Sequence, residues 1–201
     1  MKRLPWCLAT VLLLSSCTQV DDFGAYWDKG FQDPALAGSW KNVGLPDGKD
    51  GIDGGTSPAM WRFTKDGAGY LAQPINPIDP SADASTRAQQ QQDNSTPMNA
   101  RSLRIGRRTF LMLRDPSRGD EGVIQRYDIQ GTTLKEYWLD NGLALEFLAA
   151  KHPSARNIKK NVGEGDYLVI DKFDDEVFTV LSEMSANADF WLQTSQYKKV
   201  P

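Results

Sequence analysis

The sequence predicts an α+β fold, mainly antiparallel β, with helices towards the C-terminal end. Between residues 60 and 139, short runs rich in β-branched and aromatic residues alternate with glycine turns, as in successive hairpins. After residue 141 the apolar residues recur every three or four positions, which is the helical period. No long alternation of strands and helices appears, so a parallel sheet is not expected. For a chain of 201 residues, one domain is the default.

The first strands follow from two segments. The segment "DPALAGSWKNV" places Leu36, Trp40 and Val43 in an opening strand. A loop rich in glycine and aspartate follows, and then "AMWRFTKDGAGYLAQP" predicts a hairpin with strands at 60–64 and 69–73. An Asp-Gly pair separates these strands, and glycine accepts the positive φ that such a turn requires.

Residues 74–100 differ from the rest of the chain. They contain four prolines, four consecutive glutamines and few apolar residues. Such a segment buries too little apolar surface to order itself, so we expect a disordered loop. Strand-like segments resume after it, which places this loop inside the domain.

The remaining elements are two hairpins, two helices and short strands. "SLRIGRRTFLMLRD" turns near Gly106, and "GVIQRYDIQGTTLKEYWLD" turns near Gly131. "NGLALEFLAAKH" and "FDDEVFTVLSEMSANADFW" have helical spacing, and Asp174 and Asp175 lie where a helix N-terminus favours negative charge. "DYLVIDK" predicts a strand between the helices, and "YKKVP" predicts a closing strand.

The first sixteen residues have the layout of a secretory signal. Two cations are followed by an apolar stretch at 4–14, which is shorter than the roughly 20 residues needed to span a bilayer. The ending Leu14-Ser15-Ser16-Cys17 resembles the bacterial lipobox. This resemblance implies cleavage between Ser16 and Cys17 and attachment of acyl chains to Cys17, which would anchor the protein to a membrane. The alternative is an ordinary secretory signal with a chance cysteine.

The resemblance to bacterial lipoproteins also implies a location. Thr18, not aspartate, follows the cysteine, which in that group implies transfer to the outer membrane of a Gram-negative bacterium, on its periplasmic face. We expect residues 17–32 to be the acylated N-terminus and a tether, and residues 33–201 to be the domain. Trp27 and Phe31 lie four residues apart, which favours a segment docked on the domain over a free linker. An aromatic wedge at the membrane surface is the alternative.

Charge and cysteine content exclude several classes of function. The full chain has a formal charge of −3, and removal of the signal with Lys2 and Arg3 makes the mature charge −5. Nucleic acid is therefore not an expected partner. Cys7 leaves with the signal and Cys17 would be acylated, so no disulfide or thiol site is expected. No cofactor is expected either.

The segment "DPALAGSW" and the hairpin with "FTKDGAGYL" carry a second resemblance. Gly38-x-Trp40 resembles the Gly-x-Trp of the first lipocalin strand, and most of the mature chain resembles uncharacterised envelope proteins with a lipocalin-like opening. In lipocalins this motif plugs the closed end of a β-barrel. The resemblance therefore implies a lipocalin-like β-barrel or a strongly curved sheet, with C-terminal helices.

Catalytic and metal motifs are weak. His152 lies at a predicted helix end, where a cation is favoured, and no nucleophile motif accompanies it. Asp47, Asp50 and Asp53 recur every third residue, whereas a calcium-binding EF-hand needs ligands at every second residue. We expect no catalytic residue and no metal site. The arginines of "RSLRIGRR" fit either solvated strand faces or a phosphate or sulfated-glycan site.

The aromatic residues of the strands are the candidate ligand-binding residues. Lining of a barrel cavity or filling of a plain core would use the same side chains. The lining candidates are Trp40, Trp61, Phe63, Tyr70, Phe110 and Tyr127.

The functional hypothesis is a non-enzymatic, lipid-anchored envelope protein that binds a small apolar or amphipathic ligand. The alternatives are a protein-interaction module of an envelope assembly and an enzyme that uses carboxylates alone.

Overall fold

The computed structural model describes residues 18–45, 57–160 and 168–201. The strands in these ranges are β1 (Thr18–Val20), β2 (Gly38–Asn42), β3 (Met60–Asp66), β4 (Gly69–Ile75), β5 (Met98–Ile105), β6 (Arg108–Arg114), β7 (Gly122–Gln130), β8 (Thr133–Leu139), β9 (Ile158–Lys160), β10 (Leu168–Ile170) and β11 (Trp191–Val200). The helices are α1 (Gly24–Asp28), α2 (Ala84–Ser95), α3 (Asn141–Lys151) and α4 (Asp175–Ala186).

Eight of these strands close into an antiparallel barrel. From β2 to β8, each strand pairs with the next along the chain, and β11 pairs with both β8 and β2. The predicted α+β, mainly antiparallel fold is confirmed. Of the two architectures that the sequence left open, the structure is the closed, lipocalin-like barrel.

A second unit is inserted between the last two barrel strands. It contains α3, β9, β10 and α4. Strand β10 runs parallel to β1, and β1 pairs with residues 122–124 at the edge of β7. Strand β9 completes this side sheet by pairing with β10. The predicted helices therefore precede the last barrel strand, in agreement with the closing strand predicted at "YKKVP".

The structure corrects the predicted C-terminal end of the last helix. The sequence places Trp191 at the end of a helix, whereas α4 ends five residues earlier and Trp191 begins the strand. Asn187 stops the helix with an extended backbone, and its side chain accepts a hydrogen bond from the amide of Asp189. A 3₁₀ turn, Ala188–Phe190, then leads into β11.

The barrel wall separates two apolar cores. The interior core contains inward-facing side chains such as Trp40 and Tyr197, both completely buried. The outer core lies between the barrel wall and the helices, and it contains Phe173 and Trp191. Inward and outward positions alternate along each strand, so neighbouring residues belong to different cores.

The segment before β2 closes one end of the barrel. The tight hairpins β3–β4, β5–β6 and β7–β8 lie at this closed end. Leu36 is completely buried there, and the indole N–H of Trp40 donates to the Leu36 carbonyl over 2.8 Å. The Trp40 side chain is therefore bonded to the segment that closes this end. The opposite end, called the open end below, carries the longer connections between strands.

The long connection between β4 and β5 contains a helix. Across 74–100 the sequence predicts a disordered loop, but residues 74–75 extend β4, α2 occupies the middle, and residues 98–100 begin β5. The prediction of a segment without secondary structure is therefore wrong. Among the described residues, no α2 side chain belongs to either apolar core, so no apolar period marks the helix in the sequence.

Polar contacts hold α2 in place. The Asp83 carboxylate caps the helix by accepting from the amide of Thr86 over 2.8 Å. At the other end, the Asn94 side chain accepts from the amide of Asn76 over 2.7 Å and donates to its carbonyl over 2.8 Å. These reciprocal bonds tie the end of α2 to the end of β4.

Residues 18–32 belong to the folded body. Val20 and Phe23 are completely buried, and Phe31 forms an antiparallel bridge with Ser102 of β5. The segment is docked on the barrel, as the aromatic spacing predicts, and is not a free tether.

The signal segment 1–16 and Cys17, with the predicted cleavage site after Ser16, lie outside the described residues. None of the helices in the described part of the chain is long and apolar enough to cross a membrane.

Candidate functional site

Five of the six aromatic lining candidates meet inside the barrel. Trp40, Trp61, Phe63, Tyr70 and Tyr127 all belong to the interior core. They come from β2, β3, β4 and β7, so the barrel closure brings together side chains that are distant in sequence.

Phe110 is the exception and corrects the prediction. It belongs to the outer core, where its ring contacts Trp191 edge to face with centroids 5.2 Å apart. Its neighbour Leu111 belongs to the interior core instead. Because β6 is buried on both faces, its run of apolar residues does not reveal which of them point inward.

Large and small side chains alternate around the interior. Trp61 stacks on Phe63 at 5.7 Å, and Phe63 meets Tyr70 edge to face at 6.2 Å. The inward positions of the neighbouring strands β4 and β5 carry small residues, Ala72 and Ala100, both buried. The aromatic rings therefore lie beside small side chains in the barrel wall, because Ala72 is the cross-strand partner of Phe63 and Ala100 that of Tyr70.

Glu136 is a carboxyl group inside this aromatic interior. It lies on β8 between the inward-facing Leu134 and Trp138, and its exposed fraction is 3 %. Burial raises the pKa of Glu136 to about 7, although nearby donors on Tyr197, Trp61 and Gln125 act to lower it. The group therefore sits at the boundary between its neutral and charged forms near physiological pH.

Hydrogen-bond donors from three strands surround this carboxyl. The Gln125 amide on β7 donates to Glu136 Oε1 over 3.2 Å. Trp61 on β3 and Tyr197 on β11 also act on it, but within the described part of the chain neither completes a hydrogen bond of good geometry. The Tyr197 pKa is raised well above its usual range, first by burial and then by the charge of Glu136.

Two serines extend the polar region towards the open end. Ser195 on β11 donates to the hydroxyl of Ser57, which precedes β3. Both hydroxyls act on the Tyr197 phenol. We call these six residues the Glu136 cluster; its members are Ser57, Trp61, Gln125, Glu136, Ser195 and Tyr197.

The residue pattern of β8 indicates that Glu136 faces the barrel interior, although the overall composition does not. In "TLKEYWL", Leu134, Glu136 and Trp138 occupy every second position, so a strand must place the glutamate on the apolar face. Sequence reasoning missed it because Glu136 alone has no motif around it. Its donors come from other strands and are assembled only by the barrel.

A second polar network lies at the closed end. The Tyr127 hydroxyl donates to Asp33 Oδ2 over 2.7 Å and lies 2.7 Å from Ser102 Oγ. The Tyr70 hydroxyl donates to the Asp33 carbonyl over 2.6 Å. Burial raises the pKa of Tyr127 above its usual range. These contacts fix the segment that closes the barrel, so we assign the network a structural role.

The other candidate residues do not join the interior. His152 caps the end of α3 and lies 3.2 Å from the Glu183 carboxylate on the surface. Asp47, Asp50 and Asp53 lie outside the described residues. Within the described ranges, no three histidine, cysteine, aspartate or glutamate residues are arranged to hold a metal ion.

A surface groove of about 220 Å³ lies beside the β3–β4 hairpin, outside the barrel. Trp27, Asp66 and Arg101 are among its lining residues. The Arg101 guanidinium already donates to the Trp27 carbonyl over 3.0 Å and pairs with Asp28 at 3.3 Å. We favour the barrel interior as the candidate site, because the Trp61 indole N–H and the Tyr197 hydroxyl are buried there without a hydrogen-bond partner among the described residues.

No protein-family model, no curated protein and no solved structure matches this chain.

Proposed function

We propose that this protein is a non-enzymatic, lipid-anchored envelope protein that binds a small amphipathic ligand inside its barrel. The observation that carries this proposal is the polar Glu136 cluster within an otherwise aromatic interior. Eight-stranded barrels are wide enough either to be filled by side chains or to hold one small ligand.

The composition of the interior supports an amphipathic ligand over a purely apolar one. An apolar chain would gain the hydrophobic contacts of Trp61, Phe63 and Tyr70 beside the small residue Ala72. A polar group on the same ligand would meet Glu136. A purely apolar ligand would leave that carboxyl further desolvated, which costs free energy.

The proposed anchor is a set of acyl chains on Cys17. Each buried methylene stabilises membrane binding by about 0.8 kcal/mol, so two or more chains hold a protein firmly. Strand β1 begins at Thr18 and pairs with β7 and β10. With this anchor the barrel would therefore sit close to the membrane, with no long linker between them. The proposed location is the periplasmic face of the outer membrane.

Native mass spectrometry of the protein purified from the bacterial envelope tests ligand binding. We expect an additional mass that is lost on denaturation. The variant Ala72→Phe adds a large side chain to the interior and should abolish that mass. Ala68→Phe, which adds the same side chain at an exposed hairpin position, should retain it. An apo mass for the wild type, with no uptake from an envelope lipid extract, would contradict the proposal.

Metabolic labelling with radioactive palmitate tests the anchor. The wild type should incorporate label and fractionate with the outer membrane. Cys17→Ser should lose the label, whereas Cys7→Ser, in the expected signal, should keep it. Label that persists in Cys17→Ser would show that the acylation site is elsewhere, and a wild type without label would contradict the anchor.

The side sheet favours a second candidate function, a protein-interaction module. In the described part of the chain, β9 pairs only with β10, so its other edge has unpaired backbone groups. Such an edge can accept a strand from a partner. Crosslinking from residue 159 in intact envelopes, with an exposed site on α2 as the control, would reveal a partner at this edge.

A further inference from the structure

We propose that the ligand carries a protonated amine, and that Glu136 is the residue that binds it. This inference rests on the proposed function, because it requires a ligand inside the barrel. It adds the chemical class of the head group and the residue that selects it.

Charge balance inside the barrel carries the inference. Two charged residues are buried within the described ranges, Glu136 and Arg126. Arg126 points to the outer face, where it stacks on Tyr137 at 4.2 Å and pairs with Asp128 at 3.0 Å. For Glu136, no ion pair with a described lysine, arginine or histidine exists. A buried carboxylate without a counter-charge is costly, and a cationic ligand would supply that charge.

Hydrogen-bonding capacity supports the same assignment. A carboxylate can accept about four hydrogen bonds. Gln125 fills one position with a bond of 3.2 Å. Even if Trp61 and Tyr197 turn towards the carboxylate, one acceptor position remains for an N–H group. An ammonium has N–H donors and carries the missing charge.

Other head groups fit the site less well. A carboxylate or phosphate head would place a second negative charge beside Glu136 in a low-dielectric interior, which is unfavourable. A hydroxyl head could donate one hydrogen bond but would not neutralise the carboxylate. We therefore expect the order of affinity to be amine, then alcohol, then acid.

Three probes with alkyl chains of similar length distinguish the amine, alcohol and acid head groups: octylamine, octanol and octanoate. The mature acylated protein, stripped of endogenous ligand, is titrated with each at pH 7.5 in detergent micelles. Native mass spectrometry then counts the protein–ligand complexes, and equilibrium dialysis against the same micelles gives the free concentration of each probe. At this pH the amine is cationic and the acid is anionic. We expect octylamine to bind about tenfold or more tightly than octanol, as hydrogen bonds between charged groups allow.

Glu136→Gln keeps the shape of the side chain and removes its charge. This variant should lose the preference for octylamine while its affinity for octanol changes by less than about threefold. Retained octanol binding also shows that the barrel is intact. The control Glu146→Gln removes an exposed glutamate on α3 and should bind all three probes as the wild type does.

The outcomes distinguish this inference from the proposed function. Equal affinities for the three probes, tightest binding of octanoate, or an amine preference that survives in Glu136→Gln would overturn the amine assignment and leave ligand binding standing. If none of the probes binds and no envelope ligand is found, both proposals are wrong.

Discussion

Replacement of Glu136 by glutamine should change how the stability of the protein depends on pH. Burial raises the pKa of Glu136 from the usual 4.5 to about 7 in the folded state. The folded protein therefore holds this proton more tightly than the unfolded chain does. The stability that this tighter proton binding contributes to the folded state is fully present below pH 4.5 and is lost as the pH rises through 7.

The expected magnitude follows from that difference in pKa. One pH unit corresponds to about 1.36 kcal/mol, so ionisation of Glu136 costs the folded state about 3 kcal/mol by pH 8. Glutamine cannot ionise. Part of this loss has already occurred by pH 5, where the unfolded chain is largely ionised, so relative to the wild type Glu136→Gln should gain about 2.5 kcal/mol of unfolding free energy between pH 5 and pH 8. Any constant cost of placing an amide beside Gln125 cancels in this comparison.

Urea unfolding of the ligand-free protein at several pH values measures this change. Glu146→Gln is the control, because the same substitution at an exposed position should leave the difference from wild type constant with pH. If the difference between Glu136→Gln and wild type stays within about 0.5 kcal/mol from pH 5 to pH 8, Glu136 does not become charged in a buried site, and this reasoning fails.

Three further predictions concern the closed end of the barrel and α2. Tyr127→Phe leaves its partner Asp33 without a buried donor and should cost about 1–3 kcal/mol of unfolding free energy; unchanged urea unfolding would contradict this. Leu36→Ala should cost about 2–5 kcal/mol in the same assay, whereas Leu143→Ala, at a position 40 % exposed, should cost less than about 1 kcal/mol. Equal losses for the two leucine variants would show that Leu36 does not fill the closed end. Asn94→Ala removes two hydrogen bonds to Asn76, the residue after β4, and should speed hydrogen exchange in α2 by roughly tenfold or more, with the global unfolding midpoint unchanged; unaltered exchange would show that other contacts hold this helix.

Local patterns predicted most of the barrel strands and both C-terminal helices. The turns at Gly67 and Gly131 have positive φ values of 51° and 59°, as the hairpin pattern requires. The start of α4 is capped by Asp174, whose carboxylate accepts from the amide of Val177 over 3.0 Å. These features depend on residues close together in the sequence, so the sequence alone reveals them.

Features that depend on distant residues were not predictable in this way. Closure of the barrel depends on pairing between β2 and β11, which are neighbours in the sheet but lie far apart in the sequence. Helix α2 depends on a cap at Asp83 and on the bonds between Asn76 and Asn94, none of which produces an apolar period. The orientation of Phe110 was hidden because both faces of β6 are buried.

The candidate site was predicted in part. The aromatic interior followed from strand composition, since Trp40, Trp61 and Tyr127 all lie in predicted strands. The polar part of the site could not be predicted from strand composition. Glu136 and Gln125 lie in a hairpin whose sequence does not show that the barrel buries both side chains. The distinction between a plain core and a ligand site depends on that polar part.

The crystal structure of the protein purified from the bacterial envelope would test the central claim most directly. We expect electron density that does not belong to the chain inside the barrel, with an apolar portion beside Trp61 and Ala72 and a polar group within hydrogen-bond distance of Glu136. A barrel whose own side chains fill the interior, with Glu136 bonded only to Gln125, Trp61 and Tyr197, would contradict ligand binding.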